Sequence, residues 1–199
     1  MPERGALMGN RGVLHDDGRR IVRFSRGRRW IACVTEFKGR RRPVMAPNRY
    51  TELFFLDEAT ALAAGHRPCH ECRRADSLRF REAWTRAAGL DPGTSLDELD
   101  RLLHEDRLEA RGRMRRWTAA VADLPGGAMV AVDGTAHLTH GGALHPWSPG
   151  GYGPARPAPP GRVEVLTPRT IVAAIAAGYE PVTAPRLGAR AASREARPV

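Results

Sequence analysis

The chain has 199 residues, 42% of them hydrophobic, and a net charge of +10 from 32 basic and 22 acidic side chains. That composition excludes a disordered polymer, and no stretch approaches the roughly 20 consecutive apolar residues of a membrane-spanning helix. The first residues, MPERGALMGNRG, lack the apolar centre of a secretory signal, and three cysteines do not make a disulfide framework. The expected location is therefore the bacterial cytoplasm or the nucleoid, with no membrane contact. Lys38 is the only lysine, so nearly all the positive charge sits on guanidinium groups. These suit phosphate oxygens, which makes a polyanion such as DNA the expected partner.

Residues 12–24 read as a hairpin turning at Asp16, Asp17 and Gly18, and residues 28–37 as a strand with partial alternation. An Arg- and Pro-containing loop follows, then a buried strand, TELFFL. In DEATALAAG, Asp57 is placed to cap a short helix, Glu58 lies in its first turn and Gly65 suits its C-terminal end. A second helix follows the last cysteine, with Leu78, Phe80 and Trp84 as its core contacts. Ser95 and Glu98 have capping-box spacing at the head of a third helix, which carries a stripe of Leu96, Leu99, Leu102 and Leu103 and a charged outer face. Residues 125–166 read as β-structure around a Pro/Gly-rich loop, and RTIVAAIAAG as a final helix. FFLDEATALAAGHRP and EVLTPRTIVAAIAAGYEP echo one another, each a strand, a capped Ala-rich helix, then Gly, a ring and Pro.

The segment GHRPCHECRR holds Cys69 and Cys72 at C-x-x-C spacing. A thioredoxin-like dithiol would follow a strand and open a helix. Here the pair follows a helix and a Gly cap, which argues against redox chemistry. The polar flanks, Arg67, His70, Glu71, Arg73 and Arg74, argue against cysteines serving as plain core residues. A zinc ion needs four soft or borderline ligands in a tetrahedron. Cys69 and Cys72 supply two and Cys33, the remaining thiol, a third. His15 is the chosen fourth, on a hairpin strand expected beside Cys33. His66 is read as a packing ring, His70 as sterically awkward and His104 as exposed.

The stretch ELFFLDEATALAAGHRPCHECRR resembles the C-terminal half of the metal-binding domain of the adaptive-response repair protein Ada, and similar zinc modules attached to bacterial nucleases. The likeness covers residues 52–74. Ada has two further cysteines before the strand, the first of which accepts a methyl group from a DNA phosphotriester. MGNRGVLHDD followed by WIAC is similar to a variant with a histidine before the cysteine. The resemblance thus implies that Cys33 matches the second ligand and that His15 stands at the acceptor position. The same blocks also resemble a family of uncharacterised bacterial proteins.

The fold expected is α+β: a zinc-stabilised module at residues 1–89, a helical connector at 90–117, a small β-rich module at 118–183, and a disordered basic tail at 184–199. Nine arginines, Arg19, Arg20, Arg23, Arg26, Arg28, Arg29, Arg40, Arg41 and Arg42, are expected to contact DNA phosphates. His137, His140 and His145 are spaced as a possible second metal site, but neighbours three apart on a strand face opposite ways. Asp16, Asp17, Glu52, Asp57 and Glu58 offer a nuclease-like carboxylate set, although turns and caps account for all but Glu52. The expected function is zinc-dependent DNA binding within DNA repair. The alternatives are an enzyme acting on DNA, with Cys33 as methyl acceptor or as a nuclease, and a protein-interaction module.

Overall fold

A computed structural model describes residues 5–40 and 43–184 of the chain. The expected tail lies outside these residues apart from Ala184, as do Arg41 and Arg42. The architecture is mixed α and β, with two sheets and four α-helices among the described residues.

The first sheet has the order β3-β1-β2-β4. It is built from β1 (Leu7–Asn10), β2 (Ile31–Val34), β3 (Leu53–Phe55) and β4 (Arg67–Pro68). β1 is the central partner, antiparallel to both β2 and β3, with Met8 opposite Cys33 on one side and Phe54 on the other. The strand reading did not anticipate β1, whose four residues, LMGN, carry no strand signal beyond two apolar side chains. The two-residue β4 pairs with β2 in parallel, since α1 (Glu58–Ala63) lies between β3 and β4 and returns the chain in the same direction. The expected hairpin at residues 12–24 reduces to one bridge between His15 and Ile21 around a turn closed by Asp16.

α1 begins as read. The Asp57 carboxylate accepts the Thr60 N–H at 2.9 Å, and the Thr60 hydroxyl sits 3.1 Å from the Asp57 amide, closing a capping box. Gly65, at φ +77°, ends it: its N–H reaches the Leu62 carbonyl while the His66 N–H reaches Ala61. The echo later in the chain has the same ending, with Gly178 bonding Ile175 and Tyr179 bonding Ala174 after α4 (Arg169–Ala176). α2 (Arg74–Ala88) buries Phe80 and Trp84, but Leu78 is exposed, because the burying face is set by contact with α4. α3 (Leu96–Arg107) buries Leu99 and Leu103 together with Asp100 and Arg107. Its face is therefore not the simple apolar stripe expected, and two charges turn inward.

The second sheet has the order β5-β10-β6-β7-β8-β9. Its strands are β5 (Trp117–Ala120), β6 (Met129–Val132), β7 (Thr135–His140), β8 (Ala143–Ser148), β9 (Gly151–Tyr152) and β10 (Arg162–Val165), all paired antiparallel. One core cluster joins Leu62, Phe80 and Trp84 to Leu103, Ile171 and Tyr179, so it draws on residues from all three expected segments. Asp57 and Glu58 reinforce this junction. Asp57 accepts from the Tyr152 hydroxyl at 2.8 Å and the Ala184 N–H at 2.9 Å. Glu58 accepts from Tyr179 at 2.6 Å, Val182 at 3.0 Å and Arg73 at 2.7 Å.

Candidate metal centre

Three local facts converge on one spot. β2 carries Cys33 on the same sheet face as Met8 and Phe54. β4 lies against β2, and the Cys69 N–H continues the ladder to the Ala32 carbonyl at 3.0 Å. The chain then turns, closed by the Arg73 N–H on the Cys69 carbonyl at 3.0 Å, which brings Cys72 back toward β2. The three sulfurs lie within 4.8 Å of one another, and all three cysteines are free.

The backbone is arranged for anionic sulfur. Cys69 Sγ accepts the amide N–H groups of Glu71 and Cys72, and Cys72 Sγ accepts that of Val34. The Cys33 thiol donates to Cys69, and this bond, with the two amides, draws the Cys69 thiol down to about 5. Cys33 is held up first by that same bond and then by burial, while burial raises Cys72. The thiol–thiol bond and the two amides thus favour negative charge at Cys69.

A tetrahedral zinc with Zn–S distances of about 2.3 Å needs sulfurs about 3.8 Å apart, and the cluster is compatible with that spacing. Softness of the donors, separation and amide hydrogen bonds all fit zinc. Cys33, Cys69 and Cys72 would hold it, and the ion would fix all three as thiolates.

His15 is not a member of this cluster: no described histidine nitrogen or carboxylate oxygen completes it. The strand beside β2 is β1, so Met8, and not His15, lies opposite Cys33. His15 is instead tied to Thr51, with Nδ1 at 2.6 Å from a hydroxyl that also accepts the Leu14 N–H. His66 packs as expected, wholly buried between Phe55 and Trp30 at ring separations of 4.9 and 5.5 Å. Burial, then the nearby Arg11 and Arg107 charges, press it down to about 3. His70 bonds Ser77 and Arg74. His104 is partly buried against Trp30 and Arg107, not exposed.

The cysteines form part of the wall of a pocket of about 300 Å³ on this face of the sheet. Met8, Ile31, Phe37, Val44 and Phe54 give it apolar walls, and Asn10, Arg40, Tyr50, Glu52 and Glu71 give it polar groups. A second hollow, which shares Ile31, Cys69 and Glu71 with the first, is lined by Arg29, Arg67, His70 and Arg74 and by the first residues of α3. Arg67 is not available there, because it is buried in a two-bond ion pair with Asp100 at 2.7 and 2.8 Å. Among the expected phosphate-binding arginines, Arg20 pairs with Asp16, Arg29 with Asp97 and Arg40 with Glu71. Arg19, Arg23, Arg26 and Arg28 are exposed and carry no hydrogen-bonded carboxylate among the described residues.

The other candidate sets are not assembled. Asp16 serves the turn, Asp57 and Glu58 serve the α1 junction, and no described carboxylates cluster as a metal site. His137 and His145 are buried, with Nδ1 on the Thr135 and Gly153 carbonyls. Sequence reasoning assigned no role to Asn10 or Tyr50; strand register brings Asn10 to the pocket, and the loop before β3 brings Tyr50.

Comparison with protein families, curated proteins and solved structures returns no match for the chain. Nothing in them identifies an Ada-type module.

Proposed function

We propose that this is a zinc-binding protein that engages DNA phosphates through the exposed arginines of its N-terminal segment, in the service of DNA repair. The observation that carries the reading is the triad Cys33, Cys69 and Cys72, with backbone amides on its sulfurs and arginines on the surfaces around it. Purified protein should contain one tightly held zinc per chain, and Cys69→Ser should lose it. Full retention of zinc by that variant would sink the site. Each phosphate contact gives a slope of about −0.9 in log affinity against log salt. Replacing Arg26 and Arg28 together should therefore flatten the slope by about 1.8 for labelled DNA. An unchanged slope would remove these arginines from the interface.

A second reading, an enzyme acting on DNA, is favoured by the open side of the cluster, where three thiols meet a pocket and no described residue supplies a fourth ligand. In its methyl-acceptor form, the Cys33 thiolate that a bound zinc would fix forms a bond to the methyl carbon of a phosphotriester as the ester C–O bond breaks, leaving S-methylcysteine and a phosphodiester anion. Intact-mass measurement after incubation with methylated-phosphate DNA tests it, and an unmodified chain excludes it.

A further inference from the structure

The pocket above the cysteines is more than an approach to a metal. Phe54 in its wall is 55% exposed, unusual for a phenylalanine inside a strand, and Val44 is 49% exposed. Among the described residues, two polar groups at one end of the sheet are half satisfied. Asn10 Oδ1 accepts the Gly12 N–H at 3.0 Å, and no described residue bonds its Nδ2 donor. Glu52 Oε2 accepts the Met45 N–H at 2.8 Å, which leaves Oε1 as an acceptor. Glu52 immediately precedes Leu53, the partner of Gly9, so Asn10 and Glu52 sit side by side. A neighbouring donor and acceptor beside an exposed ring complement a flat heterocycle. Every nucleobase presents such a pair on its Watson–Crick edge, and that edge is free only when the base is unpaired. Arg40 lies at the same pocket in an exposed pair with Glu71, and the other N–H groups of its guanidinium can meet the attached phosphate.

We propose that this pocket receives one unstacked nucleobase of a single-stranded nucleic acid, stacked on Phe54 with its edge held by Asn10 Nδ2 and Glu52 Oε1. The inference rests on the nucleic-acid reading above and assigns to it an unpaired strand as ligand. Stacking on an aromatic side chain contributes enough for a roughly ten-fold preference for a base over an empty sugar.

The test uses full-length, zinc-loaded protein and three labelled probes of equal length: an oligothymidine strand, a strand of the same charge made of abasic residues, and a duplex. The oligothymidine should bind roughly ten-fold more tightly than the abasic strand. Phe54→Ala should abolish that preference while leaving abasic binding and its salt slope unchanged. Glu52→Gln keeps an oxygen for the Met45 amide but can turn the pocket acceptor into a donor, and should reduce the preference in part. Equal binding of base-bearing and abasic strands, duplex binding as tight as single strand, or a preference that survives both substitutions would overturn the pocket assignment alone. Absence of salt-dependent binding to every probe would overturn the nucleic-acid reading, and the pocket assignment with it.

Discussion

Replacing Asp100 with alanine should be among the most damaging single changes in α3, although nothing about the helix surface pattern marks it. Arg67 and Asp100 have side-chain exposures of only 3% and 4% and share bonds of 2.8 and 2.7 Å. Alanine would leave the guanidinium with the Pro68 carbonyl, at 3.0 Å, as its remaining partner. Removing one partner of a buried pair costs about 3–5 kcal/mol, because the other charge stays desolvated. The upper part of that range is expected here, since Asp100 also offsets the buried Arg107 and approaches Arg29 at 3.9 Å. Denaturant unfolding followed by tryptophan fluorescence, with Trp30 and Trp84 both buried, reads the change directly. Arg67 lies two residues before Cys69, so zinc affinity should fall as well. The double change Arg67→Met with Asp100→Leu should recover most of the loss, because an apolar pair has no charge to desolvate. A loss below about 1 kcal/mol for Asp100→Ala would refute the account of this pair.

Two further outcomes follow from the packing around β1. His66 titrates near 3 in the folded chain against about 6.5 unfolded, so only the unfolded state takes up a proton as pH falls through 6.5. Stability should drop by about 2 kcal/mol from this residue between pH 8 and 5, and His66→Phe should remove that part of the slope in denaturation midpoints. An identical slope in the variant would show that the ring is already charged or solvated. At Gly9, an added Cβ would lie 2.3 Å from Phe55 Cε2 and 3.3 Å from His66 Nε2. Gly9→Ala should therefore lower stability by about 1–3 kcal/mol in thermal unfolding. An unchanged midpoint would mean that the Phe55 ring moves aside freely.

The cysteine triad was legible because C-x-x-C makes its own turn and only one other thiol exists to complete it. His15 was misplaced because its local signal was sound but its neighbour was not. The segment does bend into a hairpin-like turn, yet the place beside Cys33 belongs to Met8 on a strand with almost no signature. Helix ends were readable for the same local reason, as the Asp57 cap and the Gly65 ending show. What escaped was whatever depends on a partner far along the chain. Leu78 is apolar and exposed, while Asp100 and Arg107 are charged and buried, because α4, Arg67, Trp30 and the Gly65 carbonyl decide which face of each helix is covered.

The pair Asp57–Glu58 also sets an order of events. Their partners Tyr152, Tyr179, Val182 and Ala184 are separated from them by 95, 121, 124 and 127 residues. During synthesis from the N-terminus, α1 can wind and cap itself as soon as it emerges, but these carboxylate contacts have nothing to close on until nearly the whole chain has left the ribosome. Closure of such distant contacts is slow, and it leaves the apolar sides of Leu62 and Phe80 uncovered in the meantime. The first half of this protein is thus made early and finished late, since two adjacent acids in it wait for partners that come from residues 152–184.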